Sequence, residues 1–403
     1  LRVAIIGAGV VGVTTAHELA VAGHEVTVFD RQSSVACEGS FAHAGLLTNG
    51  LDGIWMAAAR PRWQAAHLLS ISSMRWLMQQ SKSARTGAAG EAAMRLSQLS
   101  HERLDVLTRA LRLDYEQRHG ALVPLTTDTA FRRAELALGT GSGEAPAFRL
   151  LDADQARAAE PALNPCAALR GALQWPQRAV GNCRQFTQLM KAAAQQRGAR
   201  FVFQAEVTAV AGLPRPELRL AAGDALPFDA VVVSAGAGSA ALLRRAGLRL
   251  PLRPVYGYSL TASIRHVDGL PDNGPASAVI DTDLGVSITR LGQRLRVAGL
   301  ADLGRPSAAR QQRAMKSLYR ALDQWFPGAA ARKAVQHWKG ARPTLPDGLP
   351  AIGDSGLPGI WLNTGHGASG WSWAPGSAAL LCTQLSGSKP PVDGARYSPA
   401  RWR

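Results

Sequence analysis

The 403-residue chain has only four cysteines, Cys37, Cys166, Cys183 and Cys382, and none stands in CxxC spacing. Scattered thiols argue against a zinc or iron–sulfur site and suit a reducing compartment, so no metal ligands are expected. No apolar run of about 18 residues occurs, so no transmembrane helix is expected. The first residues already read as a core strand, so no signal peptide is expected on this chain. Lysine is scarce too: only six of the 45 basic residues are lysine, the rest arginine. The net charge of +16 is spread along the chain without a dense basic tract. That ranks compositional bias ahead of an anionic membrane surface, and both ahead of nucleic-acid binding. Hydrophobic residues at 46% and charged residues at 18% fit a soluble globular enzyme. The length suggests two domains rather than one core.

What is present begins at once. Residues 1–6 read as a buried strand, followed by Gly7-Ala8-Gly9-Val10-Val11-Gly12. Residues 13–22 read as a helix that Gly23 ends, and 25–29 as a second strand closing on Asp30. This is a dinucleotide-binding βαβ unit with its parts in order. Gly7 permits the tight turn, Gly9 lets backbone approach a pyrophosphate, and Gly12 lets helix and strand pack closely. The helix N-terminus offers free N–H groups to phosphate, and Asp30 stands where a carboxylate accepts from a ribose hydroxyl.

The segment Gly39-Ser40-Phe41-Ala42-His43-Ala44-Gly45 is small and flexible, suited to passing beneath a cofactor or to forming an ordinary loop. Residues 55–85 read as an amphipathic helix bearing Trp55, Trp63 and Trp76 among arginines, packed on the core in preference to lying at a membrane interface. A second strand–glycine–helix unit runs from 228 through Ala235 and Gly236. From 254 to 298 short strands separated by turns predict an antiparallel sheet, and 308–325 a helix. Near the end Arg342 precedes a Pro-Asp-Gly turn, and Gly365-His366-Gly367-Ala368-Ser369-Gly370 opens a helix whose N-terminus favours the negative charge of a reduced flavin. The expected fold is α/β plus α+β: a Rossmann-like FAD domain from residues 1–55, 150–245 and 340–403, and an antiparallel-sheet substrate domain from 56–149 and 246–339.

The stretches VAIIGAGVVGV, AGHEVTVFDR, GNCRQFTQ, GYSLT, RVAGLADL, ARPTLPDGLPAIG and WLNTGHGASGW resemble the FAD-dependent D-amino-acid dehydrogenases of small-subunit type, within the D-amino-acid oxidase and glycine/sarcosine oxidase superfamily. The resemblance covers nearly the whole chain. It implies non-covalent FAD, oxidation of a D-amino acid by hydride transfer to flavin N5, hydrolysis to a 2-oxo acid and ammonia, and electrons passed to a quinone or another acceptor. It also implies a bacterial cytoplasmic enzyme with peripheral membrane contact as the alternative. Cofactor-binding positions carried over are Gly7, Gly9, Val10, Val11, Gly12, Asp30, Arg31, Ser40, Ala42, Ala44, Gly45, Val207, Ala235, Gly236, Gly340, Arg342, Gly365, His366, Gly367, Ser369 and Gly370.

A substrate carboxylate wants a planar bidentate donor, and Arg342 is the candidate clamp. Tyr258 is expected to add a phenolic hydrogen bond. His43 is either a hydrogen-bond partner of water or substrate or a structural residue, and Arg290 either a second carboxylate partner or, by preference, a sheet residue. The family pattern has asparagine at His43, aspartate at Asn182 and lysine at Tyr256. With an aromatic replacing a cation, Tyr256 suggests apolar or cyclic substrates. The alternatives are a glycine- or sarcosine-type oxidase using oxygen, and a flavin-bearing subunit without catalysis.

Overall fold

The computed structural model describes residues 1–47, 61, 70–85, 88–139, 148–212, 214–266 and 273–403. The βαβ unit forms as its spacing predicts: β1 (Arg2–Ile6), α1 (Val10–Val21) and β2 (Glu25–Phe29). Further along come α2 (Ile71–Arg85), α3 (Ala88–Ala110), β3 (Arg118–Leu125), α4 (Asp128–Gly139), β4 (Arg149–Asp152), α5 (Ala153–Ala159), β5 (Gly171–Val180), α6 (Cys183–Gln196) and β6 (Arg200–Val202). Then follow β7 (Val207–Ala211), β8 (Glu217–Leu220), β9 (Ala225–Pro227), β10 (Ala230–Val233), α7 (Ser239–Arg245), β11 (Arg253–Ser263), β12 (Ala278–Asp281), β13 (Val286–Leu291) and β14 (Arg294–Leu303). The chain closes with α8 (Ala308–Trp325), β15 (Gln336–Thr344), β16 (Ala351–Asp354), β17 (Ile360–Thr364) and α9 (Gly370–Leu385).

Six strands form one sheet in the order β16-β17-β10-β1-β2-β6, parallel except for the edge strand β16. Strands covered on both faces need apolar residues at every position, which explains the runs Val3–Ile6 and Ala230–Val233. Val3 and Ile5 pack with Val13, Leu19, Phe186, Trp371 and Leu380 of α1, α6 and α9. Ala4 and Ile6 face the other way, toward Val210, Leu218 and Leu242, where β7, β8 and β9 form a small antiparallel sheet. The larger sheet runs β15-β11-β14-β13-β12-β3-β5-β4, antiparallel apart from β12 with β3. Helix α8 closes one face of it, with Leu318, Leu322 and Trp325 against Leu260, Ile288 and Val297. The Trp325 indole donates to Asp281 Oδ2 at 2.8 Å, which satisfies a polar group the burial would otherwise strand.

Two segments sit elsewhere than their place in the chain suggested. Residues 150–180, grouped above with the cofactor part, pair through β4 and β5 into the larger sheet. Helix α3, grouped above with the substrate part, packs Ala92, Ala93 and Leu96 into the core around Trp371 and Leu380. Gly376 allows that crossing, because a Cβ there would stand 2.8 Å from the Ser100 backbone. Arg103 of α3 also grips Glu18 of α1 through two bonds of 2.9 and 2.7 Å.

Helix α2 starts at Ile71, and Trp55 and Trp63 lie outside the described residues. Trp76 is buried against Val255 and Leu303, its indole donating to the Pro251 carbonyl at 2.8 Å, so this tryptophan faces the core. Among the described residues no helix is long and apolar enough to cross a membrane. At α6 the Asn182 side chain accepts from Gln185 N at 3.3 Å and donates to Glu116 at 2.7 Å. Glu116 in turn pairs with Arg294 at 2.9 Å. An ionised aspartate would cap the helix but have no proton for Glu116.

Candidate active site

A cavity of about 340 Å³ lies where the two larger sheets meet. Its wall includes the carboxyl ends of the parallel strands, at Ile6–Gly7, Phe29–Asp30, Ser234–Gly236 and Asn363–Thr364. Open α/β sheets bind ligands at this edge. The larger sheet contributes Gly257 to Ser259, Ala298 and Gly340 to Arg342.

Around the first glycine motif the three glycines differ in role, as expected. Gly7 has φ of 107°, and a Cβ on it would meet the Ser234 carbonyl at 2.5 Å. A Cβ on Gly12 would meet the Gly7 carbonyl at 1.9 Å, so only glycine lets α1 lie on the turn. Gly9 lines the cavity, and its nearest neighbour is Ser40 Oγ, 3.3 Å from a Cβ. Ser40 accepts from Val10 N at 3.1 Å at the start of α1. Asp30 accepts from Ala8 N at 2.7 Å and Gln32 N at 2.8 Å. Each carboxylate oxygen keeps capacity for a further donor. Arg31 lines the cavity while paired to Glu38. Val10, Val11, Ala42, Ala44, Val207, Ala235, Gly236 and Gly340 also line it. Gly12 does not, being packed beneath the turn, and neither does Gly45, which is held against Leu291 and Thr289.

The third glycine cluster joins them. His366, Gly367 and Gly370 line the cavity at the N-terminus of α9, which no side chain caps. Gly365, at φ 88°, makes the turn behind the wall against Leu345, and Ser369 is buried off it with its hydroxyl unpartnered. The Ser377 hydroxyl donates to Ala374 O, so it accepts from His366 Nε2 at 3.0 Å. Burial holds His366 down at about 3, which keeps it neutral.

Arg342 lines the same cavity. Its Nη1 donates to the Leu300 carbonyl at 3.0 Å, no carboxylate pairs with it among the described residues, and burial pushes it down to about 10. A cation held this way favours an incoming anion. Tyr258 lines the cavity, but its hydroxyl donates to Asp302 Oδ2 at 2.6 Å, and Asp302 is also paired to Arg310. Burial, then that bond, raises the phenol above its ordinary value. The expected phenolic donor is therefore committed within the protein, its ring packed with Leu260, Leu318 and Trp325 beneath α8. His43 lines the cavity with both ring nitrogens engaged: Nδ1 accepts from Gly45 N at 3.3 Å and Nε2 donates to Ala368 O at 3.2 Å. Burial, with Arg342 and then Arg296, holds it near 4. It is a neutral spacer between two loops.

Tyr256 is not in the wall; Lys339 lies 5.8 Å from its ring centre. Arg290 is also outside, with Nε donating to Gly292 O at 3.1 Å.

Sequence reasoning passed over four residues of the cavity wall that each carry a buried polar atom without a hydrogen-bond partner: Ser234 Oγ, Ser259 Oγ, Trp338 Nε1 and Asn363 Oδ1. Buried polar groups are nearly always paired, so four orphans around one cavity, two from each sheet, fit a site built for a polar ligand. Only the position of Asn363 just before the GHG loop hinted at this. A glycine-bound turn, an uncapped helix N-terminus and these orphans fit a flavin dinucleotide.

The family model described as "FAD dependent oxidoreductase" (DAO) matches residues 2–384. The chain belongs to this family. The oxidoreductase takes FAD as its cofactor. It is 37% identical over 425 residues to a D-amino acid dehydrogenase of Cereibacter sphaeroides, covering 100% of this chain and 95% of the relative. It is 36% identical to a D-amino acid dehydrogenase of Rhizorhabdus wittichii, with 98% of each covered. Among solved structures, glycine oxidase from Geobacillus kaustophilus superposes with a TM-score of 0.75 at 23% identity, over 99% of this chain and 98% of that one. That likeness establishes the fold.

Proposed function

We propose that the oxidoreductase oxidises D-amino acids to 2-oxo acids and ammonia, with electrons leaving to a quinone or another acceptor in preference to oxygen. The observation that carries the substrate class is Arg342: a half-buried guanidinium without an acidic partner among the described residues, on the wall of the cofactor cavity. An α-amino acid offers the carboxylate it lacks. The names of the relatives supply the D-hand. FAD, when bound, accepts the Cα hydrogen together with its electron pair.

The chain's own residues then bind and position. Arg342 takes the carboxylate. The Ser259 hydroxyl, on the same face of β11 as Gly257, offers a polar contact beside it. Neither His43 nor His366 is suited to take a proton, since His43 has no free nitrogen and burial disfavours the protonated form of both, which makes them weak bases. Of the carboxylates in the described wall, Asp30 accepts from Ala8 N and Gln32 N, Glu38 is paired to Arg31, and Glu206 stands before β7. The substrate amine therefore binds as its neutral form and releases its proton to solvent, and positioning supplies the rate. As the Cα hydrogen departs with its electron pair, the amine lone pair forms the C=N bond. Water then releases ammonia from the imino acid.

The test is anaerobic bleaching of the visible flavin band by D- and L-amino acids, glycine and sarcosine. Bleaching by D-amino acids alone supports the proposal. Bleaching by glycine or sarcosine, with oxygen consumed in air, replaces it with the amine-oxidase reading. Flavin that no amino acid bleaches defeats both.

A further inference from the structure

Arg342 stands on β15 opposite Val255, yet its guanidinium reaches a carbonyl on β14, the strand beyond β11. To do so it must cross the face of β11, and it crosses at Gly257. A methyl group there would lie 2.2 Å from Nη2, 2.4 Å from Cζ and 2.7 Å from Nε of Arg342. These separations are far inside van der Waals contact, and the obstacle would be the planar head itself. At the same level β14 bulges. Tyr256 is opposite Asp302 and Tyr258 opposite Gly299, so Leu300 and Ala301 share the place facing Gly257. Leu300 takes φ of 61°, a left-handed conformation disfavoured for leucine, with its N–H held by Gly285 O at 2.9 Å. That bulge turns the Leu300 carbonyl to Arg342 Nη1. A strained backbone and a missing side chain, on two strands, meet on one guanidinium.

We infer that Gly257 and the Leu300 bulge form a seat that positions Arg342 as the carboxylate clamp, making Gly257 a positioning residue for substrate affinity. The inference rests on the proposed role of Arg342. The seat fixes the plane of the guanidinium, and a bidentate carboxylate contact depends on that plane.

The test uses the FAD-loaded enzyme and benzoate, which carries a carboxylate but no oxidisable amine, titrated against the flavin spectrum. Gly257→Ala is expected to raise the benzoate Kd and the D-amino-acid KM about tenfold to a hundredfold, with a smaller change in kcat. A general loss of folded protein would not move a Kd read per bound flavin. On an Arg342→Lys background the narrower ammonium leaves the seat open, so Gly257→Ala there should change the Kd by less than about twofold. Should Gly257→Ala fail to fold alone but fold together with Arg342→Lys, the clash with the guanidinium is confirmed. Wild-type benzoate affinity in Gly257→Ala, or equal damage on both backgrounds, overturns the seat. Wild-type benzoate affinity in Arg342→Met would instead overturn the clamp itself.

Discussion

Replacing Arg342 with methionine should move activity and stability in opposite directions. Methionine keeps an unbranched chain across Gly257 but removes the charge and the donor to Leu300. Burial depresses the guanidinium from 12.5 to about 10, which corresponds to roughly 3 kcal/mol of unfavourable solvation carried by the enzyme without substrate. Losing the donor to the Leu300 carbonyl gives back about 1 kcal/mol of that relief. Arg342→Met should therefore be more stable than wild type by roughly 1–2 kcal/mol, seen as a Tm rise of a few degrees at saturating FAD. Two charge-assisted bonds to a substrate carboxylate vanish at the same time, which should lower kcat/KM for a D-amino acid by about a hundredfold or more. Differential scanning fluorimetry and steady-state kinetics on the same preparation read both. A variant that loses stability while keeping kcat/KM would make Arg342 a structural arginine, and the substrate reading would go with it.

Acid should unfold the protein through its buried histidines. His17, with Nδ1 buried and unpartnered, is held near 4 by burial and by Arg103 and Arg197. A folded value below the unfolded 6.5 means that its stability contribution is whole above 6.5 and disappears as pH falls toward 4, by up to roughly 3 kcal/mol. His43 and His366 act with the same sign. Glu160, raised to about 7 by burial, acts oppositely over much of the same range, so the clean reading is wild type against His17→Gln in chemical denaturation from pH 7 to 4. Parallel curves would refute the assignment. Gly12→Ala, whose methyl would stand 1.9 Å from the Gly7 carbonyl, should purify with little or no flavin; full loading would show that the turn can open without losing its ligand.

Local chemistry was readable in advance because it is contiguous. The turn from β1 into α1, the positive-φ glycine at its start and the close approach at Gly12 all fall within six residues, so spacing carries the geometry. Helix α8 begins at a Ser307 cap and ends after one apolar stripe, and its limits match the periodicity. The glycine loop before α9 was recognisable for the same reason.

Tertiary structure alone decided what those pieces face. The period of a strand says which residues share a side but not which strand lies next, so nothing in residues 149–180 named the larger sheet as their partner. Tyr258 reads as a free phenol until Asp302, 44 residues on, accepts its hydrogen bond. His43 reads as a hydrogen-bond partner for water or substrate, or as a structural residue, until Ala368, 325 residues on, engages its second nitrogen. Gly257 is one more strand glycine until β15 sends an arginine across it. The motif that holds a dinucleotide is written in adjacent residues. The clamp we propose for the substrate is assembled from strands distant in sequence, because hydrogen-bond partners and steric clearances belong to pairs of residues and only packing chooses the pairs.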